Sequence, residues 1–567
     1  MPENSTRDES KFIVARRNLN NKAFTSRGRS TKDRIELLPR RVVALSIRLS
    51  GYNSLQELRS FFARSGSLLV YFTGLRIPKQ GQVMTIPRTF LSLLLAIFAL
   101  LVFATGCGGS HKGATPVGNF SLASLSGTYA FTFSGADANG PSAVAGTLVA
   151  DGGGNISSGA LDVNQRPTPA ANANLTGTYT VAADGRGTAI LKSAAGNFTL
   201  AFAIVSSTRA LVTRFDTTAN GSGTMDKMNS SAFSTTALAG TLVFNLHGVD
   251  SAKNPPATVG SITIDASGNV TSGVQDVSDN GVVLTSQPIS AGSLQVASNG
   301  RGTAAITTSS GPLNFAFYVV DANHIKLVET DNLPALSGEA FRQNGPVSNA
   351  SFTGPFAFTT AGTDVAHGPS ALGAVLTSDG AGNITTGSAD FNDGGAVTTK
   401  IAVTGTYTLD ASGRGTATLT SASAGTFHFV IYPTLNEVEM LNVDSGLVMS
   451  GAAFAQTVPF TNAVLHGTYA LSETQSTSFG LVTANAAESF DGIGRLNGLT
   501  DINDLGSLST ATPMTGSYVL DSAGHGTITL QSGLGQQDLA VYALSGTRVL
   551  FIGTDGGSLT VGDIEAN

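Results

Sequence analysis

From Leu125 the chain reads LSGTYAF, and the phrase returns as LAGTLVF from Leu238, FTGPFAF from Phe352 and LHGTYAL from Leu465. The glycines Gly127, Gly240, Gly354 and Gly467 stand 113, 114 and 113 residues apart. Two further landmarks keep the same step. One is LTGTYTV from Leu175, SAGSLQV from Ser290, VTGTYTL from Val403 and MTGSYVL from Met514. The other is DGRGT from Asp184, NGRGT from Asn299, SGRGT from Ser412 and AGHGT from Ala523. Landmarks that hold step over four copies define an internal repeat, and the repeat decides the fold.

Within a copy the hydrophobic period is two. Tyr129, Phe131 and Phe133 alternate with Thr128, Ala130 and Thr132, and Phe198, Leu200, Phe202 and Ile204 with Thr199, Ala201 and Ala203. Leu313, Phe315, Phe317 and Val319 repeat the second pattern. This is the signature of half-buried strands. Asp/Gly/Asn clusters separate them, as in DGGGN from Asp151, DASGN from Asp265 and DGAGN from Asp379. Such residues accept the positive φ of short hairpins. One copy divides into eight strands near 127–135, 144–151, 155–161, 175–182, 187–192, 198–206, 209–215 and 223–229. Successive hairpins make an antiparallel meander, and an eight-stranded meander removes its edges by closing into a barrel. The expected fold is all-β, with four tandem barrels at 120–231, 232–346, 347–459 and 460–567. Immunoglobulin-like sandwiches are the alternative, but they need longer crossing connections than these loops provide. The GTY start and the meander resemble the lipocalin and avidin barrels, which usually carry a Trp near the first strand; this chain has none. The whole chain resembles repeat-bearing bacterial lipoproteins of unknown function.

From Met84 the chain reads MTIPRTFLSLLLAIFALLVFATGC. Arg88 precedes an apolar run from Thr89 to Phe103, and the small residues Ala104, Thr105 and Gly106 precede Cys107. This is the plan of a secretory signal. Its end resembles the bacterial lipobox, with Ala104 where that family prefers Leu. The resemblance implies that 84–106 is a signal peptide and that Cys107 carries a lipid. Cys107 is the single Cys of the chain, so no internal disulfide competes for it. By resemblance to lipoprotein sorting, Gly108 and Gly109 after the Cys imply the outer membrane. Residues 107–119 read as a flexible tether.

Residues 1–83 carry 16 Lys+Arg against 6 Asp+Glu, which leaves 16 against 32 in the rest. The basic extension reads as a nucleic-acid-binding arm or as sequence ahead of a true start at Met84, and the complete signal at Met84 favours the second. The acidic remainder is unsuited to tracking a phosphate backbone, so no nucleic-acid partner is expected. The expected setting is an exported protein, held through lipid at the outer membrane or cell surface, with an extracellular partner or ligand.

No G-x-S-x-G, H-E-x-x-H, phosphate loop or C-x-x-C occurs. His247, His428, His466 and His525 stand at different places in their copies and read as surface or turn residues. Arg186, Arg301 and Arg414 lie between glycines in tight hairpins and read as solvated or locally ion-paired. Aspartates recur instead. Asp137, Asp162 and Asp216 of the first copy match Asp250, Asp276 and Asp331, then Asp364, Asp390 and Asp444, then Asp501 and Asp555. They are assigned to connections 1–2, 3–4 and 7–8, which share one end of a meander. Three carboxylates on one rim suit a hard cation such as Ca2+, or sugar hydroxyls. The plainer reading is that each Asp caps its own turn. No other cofactor is suggested.

The expected function is therefore non-enzymatic: a cell-surface lipoprotein for adhesion or extracellular ligand capture. A carrier with a small apolar ligand inside each barrel is the second reading. An extracellular hydrolase without a recognisable motif is the third. A polar cavity inside a barrel favours the carrier, and solid Phe/Leu/Val packing favours the surface protein.

Overall fold

A computed structural model describes residues 118–567 apart from 138, 166–168, 251–253, 310, 332–333 and 344. The basic extension, the signal and Cys107 lie outside the described residues. Four closed, eight-stranded antiparallel barrels follow one another at 126–227, 240–342, 353–455 and 466–566. The first consists of β1 (Ser126–Asp137), β2 (Gly140–Asp151), β3 (Asn155–Gln165), β4 (Ala170–Val181), β5 (Arg186–Ser193), β6 (Gly196–Ser206), β7 (Arg209–Arg214) and β8 (Ala219–Lys227). Each strand pairs with the next and β1 pairs with β8, so no edge is left to recruit another chain.

β3 runs four residues past the expected end near 161. Asp162 therefore lies inside a strand and not in connection 3–4, and Asp276, Asp390 and Asp501 do the same in Val270–Asp279, Asn383–Asp393 and Arg495–Asp504. The carboxylate takes the outward phase of the strand, between the core residues Leu161 and Val163, and its face meets a neighbouring barrel.

A short 3-10 turn precedes each barrel: Leu122–Ser124, Thr235–Leu238, Asn349–Ser351 and Asn462–Val464. It ends on a buried residue, Leu125, Leu238, Phe352 or Leu465, that plugs the barrel end. The tyrosine of the second landmark ties the plug down. The Tyr179 hydroxyl donates to the carbonyls of Leu122 and Leu125 at 3.0 and 2.8 Å, and Tyr407 and Tyr518 repeat the bonds. The chain then turns into the first strand through Gly127, Gly240, Gly354 or Gly467, at φ of +117°, +121°, +104° and +110°. A side chain is strained there, which is why the glycine of LSGTYAF recurs.

Inward-facing side chains fill each barrel. Phe131, Phe133, Leu148, Leu161, Phe198 and Phe202 do so in the first. A cavity inside the second barrel measures about 30 Å³, room for a water rather than a ligand. The fourth barrel departs from this. Glu473, Glu488 and Gln537 occupy the places of Phe133, Leu148 and Phe198. Both carboxyl oxygens of Glu488 are buried without a hydrogen-bond partner. Burial pushes the Glu473 carboxyl up to about 7. Burial, reinforced by Glu473, pushes Glu488 up to about 8.

The barrels close a ring. The first strands of barrel 1 pack on the sixth to eighth of barrel 2, and the same faces join barrels 2 and 3, 3 and 4, and 4 and 1. A head-to-tail contact of this kind either closes or propagates without end, and here four copies close it. Three seams share one design. Tyr318, Tyr432 and Tyr542, on the sixth strands, are buried against small or branched residues of the preceding barrel, such as Ala145, Val259 and Gly373. The closing seam reverses it. Ala203 takes the tyrosine's place, and Asn485 fills the space from the other side, donating to the carbonyls of Ala201 and Leu211. The apolar contact shrinks to Ala203, Val205, Leu211 and Ala470. Thr213 Oγ1, Thr483 Oγ1 and Asn485 Oδ1 are buried there without partners, each a cost to folding.

The closing seam is also the one that no linker spans. Arg186→Ala, which removes its ion pair with Asp501, is expected to open the ring, and small-angle scattering should report a larger radius of gyration. Arg414→Ala, at a seam that a linker and Tyr432 also hold, should lower the melting temperature without expansion. Removing one partner of a buried pair costs about 3–5 kcal/mol. Equal expansion of both variants would contradict the ranking.

The carboxyls of the fourth barrel give a second expectation. Both titrate above the ordinary 4.5 when folded. The stability they permit is therefore complete below about pH 4.5 and is lost as pH rises through about 7 and 8. Glu488→Leu installs the residue found at Leu148 and Leu376. It should flatten that loss, at about 1.4 kcal/mol per pH unit of displaced titration. Denaturant unfolding of both proteins from about pH 5 to about pH 8.5 measures it; parallel curves would count against the buried carboxyl.

Candidate functional site

The recurring aspartates have three separate roles. Asp137, Asp250 and Asp364 close the first hairpin, each accepting a nearby backbone N–H: Asn139, Asn254 and Ala366, at 2.7, 2.7 and 2.6 Å. Asp216, Asp331, Asp444 and Asp555 accept the backbone N–H of Thr199, Asn314, His428 and Asp538 on the sixth strand, at 2.7–3.0 Å. Asp162, Asp276, Asp390 and Asp501 face the seams. Each first fixes a bulge in its own barrel, accepting the N–H of Asn172, Ser286, Lys400 or Ala511 at 2.8–2.9 Å. Those four residues all have positive φ.

The same carboxylates then bond to an arginine or histidine of the neighbouring barrel. Arg301 forks onto Asp162 at 2.8 and 2.7 Å, and Arg414 onto Asp276 at 2.9 and 2.6 Å. His525 Nε2 lies 2.6 Å from Asp390, and Arg186 donates to Asp501 at 2.7 Å while also holding its own Asp184. Tyr318, Tyr432 and Tyr542 add hydroxyl bonds to Asp162, Asp276 and Asp390 at 2.6, 2.5 and 2.8 Å. The arginines read as solvated hairpin residues are thus inter-barrel clamps, and His525 is buried at a seam. Two residues beyond each of these aspartates stands Asn164, Ser278, Asn392 or Asn503, each donating to a carbonyl of the next barrel: Glu329, Leu447, Gly553 or Arg214. That D-x-N/S signature was present in the sequence and escaped the reading.

The three aspartates of a copy therefore serve different ends. Among the described residues, sets of three ligating groups within 4.8 Å of one another occur at Asp226–His324–Glu339 and at Asp364–His367–Asp393. In the first set Lys326 already binds both carboxylates, at 2.8 and 2.6 Å.

The roomier site lies on the ring axis. A solvent-open cavity of about 1000 Å³ is lined by all four barrels. One position lines it in every barrel, holding Arg209, His324, Glu437 and Arg548, and in barrel 3 Glu439, two residues on, lines it as well. One axial contact crosses each seam: Lys326 to Asp226, Asn245 to Glu439, Arg548 over the Phe454 ring at 4.3 Å, and Arg209 to Glu565 at 2.9 Å. Including side chains bonded to the wall, three cations (Arg209, Lys326, Arg548) and His324 meet six carboxyls: Asp226, Glu339, Glu437, Glu439, Asp563 and Glu565.

The third quadrant has no cation of its own. Glu437 and Glu439 bond to each other, and Asn245 Nδ2 donates to Glu439 at 2.8 Å. Burial pushes both carboxyls up; the nearby Glu437 drives Glu439 further, well above the usual range, while the hydrogen bond from Glu439 offsets part of the rise at Glu437. Asn245 Oδ1, beside them, is buried with no donor. His247 also lines the wall. Sequence reading missed this wall because its residues differ from copy to copy.

No protein-family model and no curated protein matches the chain. Solved structures similar to it include a single-substitution mutant of the vaccine antigen transferrin-binding protein B from Haemophilus parasuis Hp5. That match has 9% identity over 63% of this chain and 83% of that one, with a TM-score of 0.18. Intact Ap-TbpB, with N and C lobes, matches at 11% identity over 63% and 84%, with a TM-score of 0.18.

Proposed function

We propose that this chain is an exported lipoprotein, anchored through Cys107, whose ring captures an organic cation in its axial cavity. The signal that begins at Met84 supports the address. The observation that carries the binding reading is the third quadrant: the buried Glu439, the half-buried Glu437 and an acceptor without a donor, facing about 1000 Å³ of open space. Filled barrels leave little room for the carrier reading. Capture is favoured over adhesion because the chemistry is concave and inward. An ammonium group supplies the missing donors and charge, while Phe341, Phe454 and Leu544 give its carbon chain an apolar wall. A hydrated divalent ion prefers oxygen on every side.

Titration calorimetry of the detergent-solubilised lipoprotein with spermidine should show binding that weakens with salt. The Glu437→Gln/Glu439→Gln variant should lose at least about tenfold in affinity, or about 1.4 kcal/mol. Asp379→Asn, at an exposed hairpin, should lose nothing. Binding of Ca2+ without spermidine, or equal affinity in the double variant, would remove the organic cation. Independently, Cys107→Ser should abolish metabolic labelling by fatty acid; a variant labelled as strongly as the parent would refute the anchor.

A further inference from the structure

One seam carries a constellation that the others lack. Where three barrels present arginine to the neighbouring Asp, barrel 4 presents His525. Where the other copies have Ala160, Val274 and Leu499, two residues before that Asp, barrel 3 has Ser388. The two exceptions meet. Ser388 Oγ lies 3.1 Å from His525 Nδ1, and His525 Nε2 lies 2.6 Å from Asp390 Oδ2. Asp390 is buried and held in place by the Tyr542 hydroxyl at 2.8 Å and the Lys400 N–H at 2.9 Å. The His525 ring lies parallel to the Tyr542 ring, 5.6 Å between centroids.

Arginine satisfies the aspartate in the other seams, so the clamp alone does not call for a histidine. A histidine adds an acceptor. With its ring proton given to Asp390 through Nε2, Nδ1 is free to accept from a hydroxyl, and the hydroxyl it meets is Ser388. These are the nucleophile–base and base–orienter distances of a Ser–His–Asp site, which is recognised by geometry and not by sequence order. Ser388 also opens onto a solvent-accessible cavity of about 580 Å³, walled by Pro355, Val375, Leu376, Val458 and Pro459.

We infer that Ser388, His525 and Asp390 form a hydrolytic site at the seam between barrels 3 and 4, acting on carboxylic esters with an apolar acyl chain. It is separate from the axial cavity and does not depend on it. Ser388 Oγ attacks the ester carbonyl carbon as His525 Nδ1 takes the hydroxyl proton. The carbon–oxygen bond of the ester breaks, and the alcohol leaves with that proton. Water then attacks the acyl-serine, giving a proton to His525, which returns it to Ser388 Oγ as the carboxylic acid departs. The balance is ester and water to acid and alcohol, with no other reactant.

The chain supplies its own controls. Ser388→Ala installs the residue of Ala160, and His525→Arg installs the clamp of Arg301 and Arg414, so both substitutions have folded precedents within the same protein. The full-length protein is treated with a fluorophosphonate and mapped by mass spectrometry, and hydrolysis of 4-nitrophenyl butyrate is followed across pH. The expected result is labelling of Ser388 and a fall in hydrolysis of at least about a hundredfold in each variant. His525→Arg should melt at or above the parental temperature, which a purely structural histidine would also show, but without the loss of activity. An unlabelled Ser388, or parental hydrolysis in His525→Arg, overturns the assignment whatever the axial cavity binds.

Discussion

Everything in the ring depends on a carboxylate buried between two barrels. A charge in such a place is tolerated only with a polar partner and a full set of hydrogen bonds. Asp162, Asp276 and Asp501 obtain an arginine and Asp390 obtains His525, each at the start of the next barrel's fifth strand, and all four are also bonded within their own barrel at a bulge. The requirement makes each repeat incomplete at two faces. A repeat offers an aspartate at one face and a cation at the other, so a linear array would leave an unpaired aspartate at one end and an unpaired cation at the other. Closure satisfies both ends at once.

Closure also separates two kinds of position. Seam residues are fixed in pairs, and a change on one side is answered on the other: Tyr318 faces Ala145, whereas Ala203 faces Asn485. Axial residues answer to no repeating partner. Their wall runs from arginine through histidine and lysine to glutamate and back to arginine, and its carboxyls outnumber its cations. The interior of barrel 4 has diverged similarly, exchanging apolar packing for Glu473 and Glu488. A fold repeated four times in one chain keeps its joints and is free to vary its cavities.

The barrels were legible because they rest on local signals. Alternation, positive-φ glycines and hairpin lengths specify strand order, and all of these recur at fixed spacing. The ring was not legible, since Arg301 and Asp162 are 139 residues apart and each is unremarkable in its own hairpin. One clue was available. Asp162 and Asn164 alternate with the core residues Leu161 and Val163, and their counterparts (Ser278 in place of Asn in the second copy) recur at the same place in every copy; the same polar pair on one strand face four times over implies a partner there. The axial wall offered no such clue. Its residues share no chemistry, and only the closed ring brings Arg209, His324, Glu437 and Arg548 around one space.

The closing seam makes the first and last barrels neighbours. Order along the chain is therefore an accident of where the ring is cut, and any of the four linkages would serve as well for the termini. A circularly permuted gene that begins at the third barrel encodes the same seams, the same axis and the same asymmetric wall. The closing seam is also the least apolar joint, so the first and last barrels meet where the ring is held least by packing.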